Sequence, residues 1–102
     1  MIHSEFLEPA EKEMLDAAAF YESLSEGLGK DFIQKVYNAV KDIEENPKRW
    51  PVLEFNIHRR FIHRFPYAVL YKVENDKPII VAVMHLSRRP NYWFHRIHRI
   101  KK

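Results

Sequence analysis

The sequence predicts an α+β domain of order βααβββ, in which a helical hairpin packs on a mostly antiparallel four-stranded sheet and a short C-terminal helix follows. Three observations carry this reading. Apolar residues recur at three- and four-residue steps in two consecutive stretches of the first half, and they alternate or run continuously over strand-length segments in the second. Both glycines of the chain, Gly27 and Gly29, stand between the helical stretches, where a tight turn is needed. With 102 residues the chain has room for one domain, residues 1–102, and one core.

Residues 2 to 7 read as a first strand. Pro9 stands where a helix can begin, because its missing N–H is not needed in a first turn, and Glu8 and Glu11 suit the positive end of that helix. Met14, Ala17 or Ala18, Tyr21 and Leu24 form its apolar stripe. Ser25-Glu26-Gly27-Leu28-Gly29 breaks the pattern, and Gly27 is free to adopt the left-handed conformation that ends a helix. Phe32, Val36, Ala39 or Val40, and Ile43 mark a second stripe, which stops at Glu45-Asn46-Pro47 because proline disfavours helix in the residue before it. Stripes at this spacing are packing surfaces, so the two helices run antiparallel.

Trp50, in the link Lys48-Arg49-Trp50-Pro51-Val52, is expected to cover one end of the core. Residues 57 to 65 alternate poorly and are strongly basic, as in a charged edge strand with a twist or bulge. Tyr67, Val69, Tyr71 and Val73 then alternate with Ala68, Leu70 and Lys72. These four are expected to face the helices, since a slip of one residue would turn all of them away. The turn Asn75-Asp76-Lys77-Pro78 leads into residues 79 to 84, apolar on both faces like a central strand. That run ends abruptly at His85-Leu86-Ser87-Arg88-Arg89-Pro90, which mounts polar groups on a rigid strand end beside a loop.

Composition narrows the chemistry. The absence of cysteine excludes disulfides and thiolate metal sites and fits a reducing compartment. The start lacks the regions of a signal peptide and no apolar run is long enough to cross a bilayer, so a cytoplasmic protein without membrane contact is expected. Two glycines cannot make a phosphate-binding loop, and no serine lies in a nucleophile elbow. His95 and His98, three apart but without cysteine or a nearby carboxylate, are poor metal ligands. Neither cofactor nor metal is expected.

Charge is unevenly distributed. Up to Glu54 the chain has 6 Lys and Arg against 12 Asp and Glu, and beyond it 11 against 2, giving −6 and +9 and summing to the net +3. Five of the six histidines also lie in the second part: His58, His63, His85, His95 and His98. The asymmetry suggests a basic face directed at an anionic partner, either nucleic acid or an acidic protein. Arg60, Arg64, His85, Arg88, Arg89, Tyr92 and Trp93 form the candidate site. Arginine forks suit phosphate or carboxylate, histidine moves protons near neutral pH, and aromatic rings stack on bases. If RNA were cleaved through its own 2′-hydroxyl, His85 would transfer a proton and Arg64 or Arg88 would stabilise the phosphorane.

Taken together, the Ser25-Glu26-Gly27-Leu28-Gly29 turn followed by Phe32, the Asn46-Pro47-Lys48-Arg49-Trp50-Pro51 link, Arg64-Phe65-Pro66-Tyr67 with Tyr71, and His85 leading to Arg88-Arg89-Pro90 and Trp93 resemble the RelE/ParE toxin superfamily of type II toxin–antitoxin modules. The resemblance spans nearly the whole chain and implies the βααβββ fold, a cognate antitoxin in a hetero-oligomer, and one of two targets: DNA gyrase, or ribosome-bound messenger RNA. RelE-like ribonucleases carry a catalytic arginine directly after the tyrosine of the third strand, where this chain has Ala68 after Tyr67. Their terminal catalytic tyrosine falls near Trp93 or Phe94, and Tyr92 is out of step. Arg88 does match the arginine that follows the last strand. These departures place the resemblance closer to the ParE-like branch, associated with plasmid stabilisation and gyrase inhibition. The expected activity is therefore topoisomerase poisoning through Arg60, Arg64, Arg88, Arg89, Tyr92 and Trp93. The alternatives are a ribosome-dependent endoribonuclease and an inactive homologue that only binds protein.

Overall fold

The computed structural model describes residues 4–100, with side chains described through Ile97. The order is β1 (Glu5–Phe6), α1 (Glu8–Leu24), α2 (Leu28–Glu45), a short 3-10 turn at Glu54–Asn56, β2 (His58–Phe61), β3 (Tyr67–Glu74), β4 (Lys77–His85) and α3 (Phe94–Ile100). The strands line up as β1-β4-β3-β2, with β1 parallel to β4 and the other pairs antiparallel. The α+β architecture is the one expected. Of the expected first strand, Glu5 and Phe6 pair with Ile79 and Ile80, while Ile2 and His3 lie outside the described residues.

Two cores lie on the two faces of the sheet. The helical hairpin covers one with Met14, Phe32, Val36 and Ile43 against Val69, Tyr71, Ile80 and Val83, and Tyr67 and Val73 pack partly buried against the same cluster. Ala68 and Leu70 look the other way, onto Ile57, Trp93 and Ile97. The strand register is thus the expected one. Leu24 departs from expectation, being 62% exposed and outside the core that Met14, Ala17, Ala18 and Tyr21 join. Trp50 packs partly buried at the edge of the first core, as anticipated.

Local chemistry explains the turns. Asn75 and Asp76 have φ of 53° and 63°, the double left-handed geometry of a two-residue hairpin whose twist matches its strands. Gly27 has φ of 86°, and both Glu22 carboxylate oxygens accept its N–H and that of Gly29 at 2.9 Å. Those two bonds cap α2 and hold the Glu22 carboxyl below its ordinary range. The irregularity anticipated in the basic segment lies instead between β3 and β4, where the register shifts at Leu70 and Tyr71. The segment itself forms only the short edge strand β2, because Arg64, at φ 76°, turns the chain and Ile62 donates to the Tyr67 carbonyl.

At Gly29 the helices approach closely: an added Cβ would run into the Ala18 carbonyl oxygen and press on Glu22. Backbone cannot yield as a flexible side chain would. Gly29→Ala is therefore expected to destabilise the fold by about 1–3 kcal/mol despite alanine's better helix propensity. Gly27→Ala, which meets nothing within 4 Å, should cost about 1–2 kcal/mol through its left-handed backbone alone. Thermal melts of the two variants check both values, and a Gly29→Ala variant as stable as wild type would contradict the close approach.

Candidate functional site

The expected site residues divide into three groups. Trp93, expected to contact a target, is only 2% exposed and forms part of the second core, so it is a packing residue. The reason lies two residues earlier, where Asn91, at φ 61°, redirects the chain and turns Trp93 under the sheet. Arg60 is also structural. Its guanidinium meets Asp42 at 2.6 Å and stacks 4.6 Å from the Trp50 ring. Arg64 donates to Asp31 at 2.7 Å, and Asp31 also holds Lys35 at 2.7 Å. The Lys35 hydrogen bond above all, reinforced by both cations' charges, draws the Asp31 carboxyl below its ordinary range.

His85, Arg88 and Tyr92 lie at the end of β4 and the loop after it. The Ser87 N–H donates to His85 Nδ1 at 3.0 Å, and the Ser87 hydroxyl lies 2.7 Å from the same atom. A backbone N–H can only donate, so Nδ1 accepts and the ring proton sits on Nε2. The Arg88 guanidinium stacks 3.9 Å from the Tyr92 ring centroid, with Arg96 5.1 Å from the same centroid. The Tyr92 hydroxyl donates to Glu13 Oε2 at 2.6 Å. Burial, followed by that bond to a carboxylate, pushes the Tyr92 hydroxyl well above its ordinary range and keeps it neutral. Arg89 is exposed and, like Arg88, makes no ion pair among the described residues.

Sequence reading missed the group that organises this end of the molecule. Glu13 on α1 takes the Val83 N–H at 3.0 Å, the Tyr92 hydroxyl, and both terminal nitrogens of Arg96 at 2.9 Å. Arg96 in turn donates to the Val81 carbonyl at 3.0 Å. β1 pairs with β4 only as far as Ile80, and beyond that point this carboxylate and guanidinium satisfy the exposed edge of β4. A signal did exist. Arg96 sits between Trp93 and Ile97 on a buried helix face, and a buried arginine demands a carboxylate. Burial opposes the Arg96 charge, and Glu13 more than offsets it, leaving the guanidinium firmly protonated.

A hollow of about 270 Å³ opens between α1 and the strand ends, lined by Glu13, Asp16, Phe20, Tyr67, His85 and Arg88. His85 and Arg88 share it, whereas Arg64 and Arg60 do not. Part of the sequence's charge asymmetry is folded into internal pairing, since Glu5–Lys77, Glu13–Arg96, Asp31–Arg64 and Asp42–Arg60 all join the two halves. Among the described residues no group of three His, Asp or Glu could hold a metal, and the His98 side chain lies outside them. No described helix is long and apolar enough to cross a membrane.

The fold and this end of the molecule thus combine a helical hairpin, a mixed four-stranded sheet and an exposed arginine loop after the last strand. Residues 5–90 match the family described as the ParE toxin of the type II toxin–antitoxin system parDE, and the chain belongs to that family. Among solved structures it is similar to a chain of the chromosomal ParDE TA system from P. aeruginosa, with a TM-score of 0.70 over 85% of this chain and 98% of that one. The two share 14% sequence identity, so the likeness extends to the fold. No curated protein sequence matches significantly.

Proposed function

We propose that the chain is a growth-inhibiting toxin neutralised by a cognate antitoxin in a hetero-oligomer, and that it acts in the cytoplasm by binding DNA gyrase rather than by cutting RNA. The supporting observation is that the groups an RNA-cleaving site would need are separated or engaged. Arg64 is paired with Asp31, His85 Nδ1 is occupied by Ser87, and the hollow shared by His85 and Arg88 includes neither Arg60 nor Arg64. A contact mechanism needs only exposed cations, and Arg88 and Arg89 supply them.

Inducible expression of the chain alone, with parallel assays for gyrase-dependent DNA breaks and for cleaved messages, tests this. Gyrase-dependent breaks without RNA scission are expected. Arg88→Ala with Arg89→Ala should lower potency roughly tenfold or more, while His85→Ala stays within about threefold of wild type. Site-specific cleavage of ribosome-bound messages, abolished in His85→Ala, would establish the ribonuclease instead.

A further inference from the structure

Resting on the gyrase reading, we propose that the hollow between α1 and the strand ends, with its apolar rim, docks an acidic amphipathic segment of the target protein. An apolar side chain of that segment enters the hollow, and a neighbouring carboxylate lies on Arg88 and Arg89. Phe20 lines the hollow, and Leu24 stands one turn further along the same flank of α1. Leu86 follows His85 and is fixed beside the other wall by its N–H to the Pro66 carbonyl at 2.9 Å. These three side chains are 57%, 62% and 46% exposed, which is costly to leave in water without a purpose, and they sit at the same end as the two unpaired arginines.

The charges choose the occupant. Glu13 is saturated by Arg96, Tyr92 and the Val83 N–H, and Asp16 holds Lys12 at 2.8 Å, so neither carboxylate is free to recruit a cation. The exposed apolar side chains of Phe20, Leu24 and Leu86 gain nothing from a sugar–phosphate backbone, which disfavours nucleic acid as the occupant. The outer cations differ, because Arg88 is braced against the Tyr92 ring, and both Arg88 and Arg89 are exposed. Exposed apolar side chains beside the hollow, next to two exposed arginines, match a protein segment carrying an aliphatic or aromatic residue next to Asp or Glu.

The test compares inhibition of DNA supercoiling by gyrase holoenzyme for wild type, Phe20→Ser, Leu24→Ser, Leu86→Ser and, as control on another flank of α1, Leu15→Ser, which replaces a side chain 50% exposed. Thermal melts accompany each variant, and the substitutions lie on two separate elements, so misfolding of one does not decide the outcome. Phe20→Ser and Leu86→Ser are expected to lose roughly tenfold in potency at unchanged melting temperature, with Leu15→Ser near wild type. Wild-type potency in Phe20→Ser and Leu86→Ser, or an equal loss in Leu15→Ser, would overturn the surface while leaving the gyrase reading intact. A wild-type chain with no effect on gyrase would overturn both. Unchanged gyrase potency with loss of antitoxin rescue would give the surface to the antitoxin and also overturn the proposal.

Discussion

Trp93→Ala is expected to destabilise the protein by about 3–5 kcal/mol, enough to leave a domain of this size partly unfolded at physiological temperature. The indole is the largest fully buried side chain and joins Ile57, Leu70, Val81 and Ile97 on the face of the sheet away from the helical hairpin. The short α3, its approach and the segment from Leu53 to Ile57 cover that face, and none of them carries a side chain large enough to fill the space left behind. A melting-temperature drop of roughly 12–40 °C corresponds to that loss. Toxicity should fall with it, in proportion to the folded fraction. Trp93→Phe should recover much of both, and a Trp93→Ala variant with wild-type melting but no toxicity would mean that the indole contacts the target after all.

A comparable loss is expected from Glu13→Ala. It leaves the Arg96 guanidinium, with a side chain 9% exposed, without its counter-charge and orphans the Tyr92 hydroxyl and the Val83 N–H. Removing one partner of a buried pair costs about 3–5 kcal/mol, most of it from the stranded charge. Glu13→Leu combined with Arg96→Met should therefore be more stable than Glu13→Ala alone, because no buried charge remains. Denaturant unfolding of the single and double variants checks this. A double variant less stable than the single would show that the pair's hydrogen bonds to the β4 edge outweigh the desolvation of its charges.

The fold was legible because it is written in periodicity. Phe32, Val36 and Ile43 at helical spacing, and Val69 and Tyr71 at strand spacing, identify their own faces without knowledge of what they pack against. Leu24 fits the same helical arithmetic yet is exposed, because spacing does not record which turns lie over the core. The site was less legible because its chemistry depends on pairings between distant segments. Arg60 and Arg64 look like free cations in sequence, and only the packing of α2 brings Asp42 and Asp31 to them. Trp93 beside Arg88-Arg89-Pro90 resembles a binding cluster until the left-handed Asn91 carries it inward.

The substitution of Glu13 and Arg96 for a neighbouring strand bears on the order in which the chain can assemble. The two residues are 83 positions apart, so the contact has among the highest loop-closure costs available to a chain of this length. During synthesis the hairpin and the three later strands precede α3, and the edge of β4 beyond Ile80 stays open until α3 folds against it. Such an edge is a template for pairing with other chains. Its closure by Arg96 makes α3 a timing element, because once α3 has docked that edge no longer offers a template.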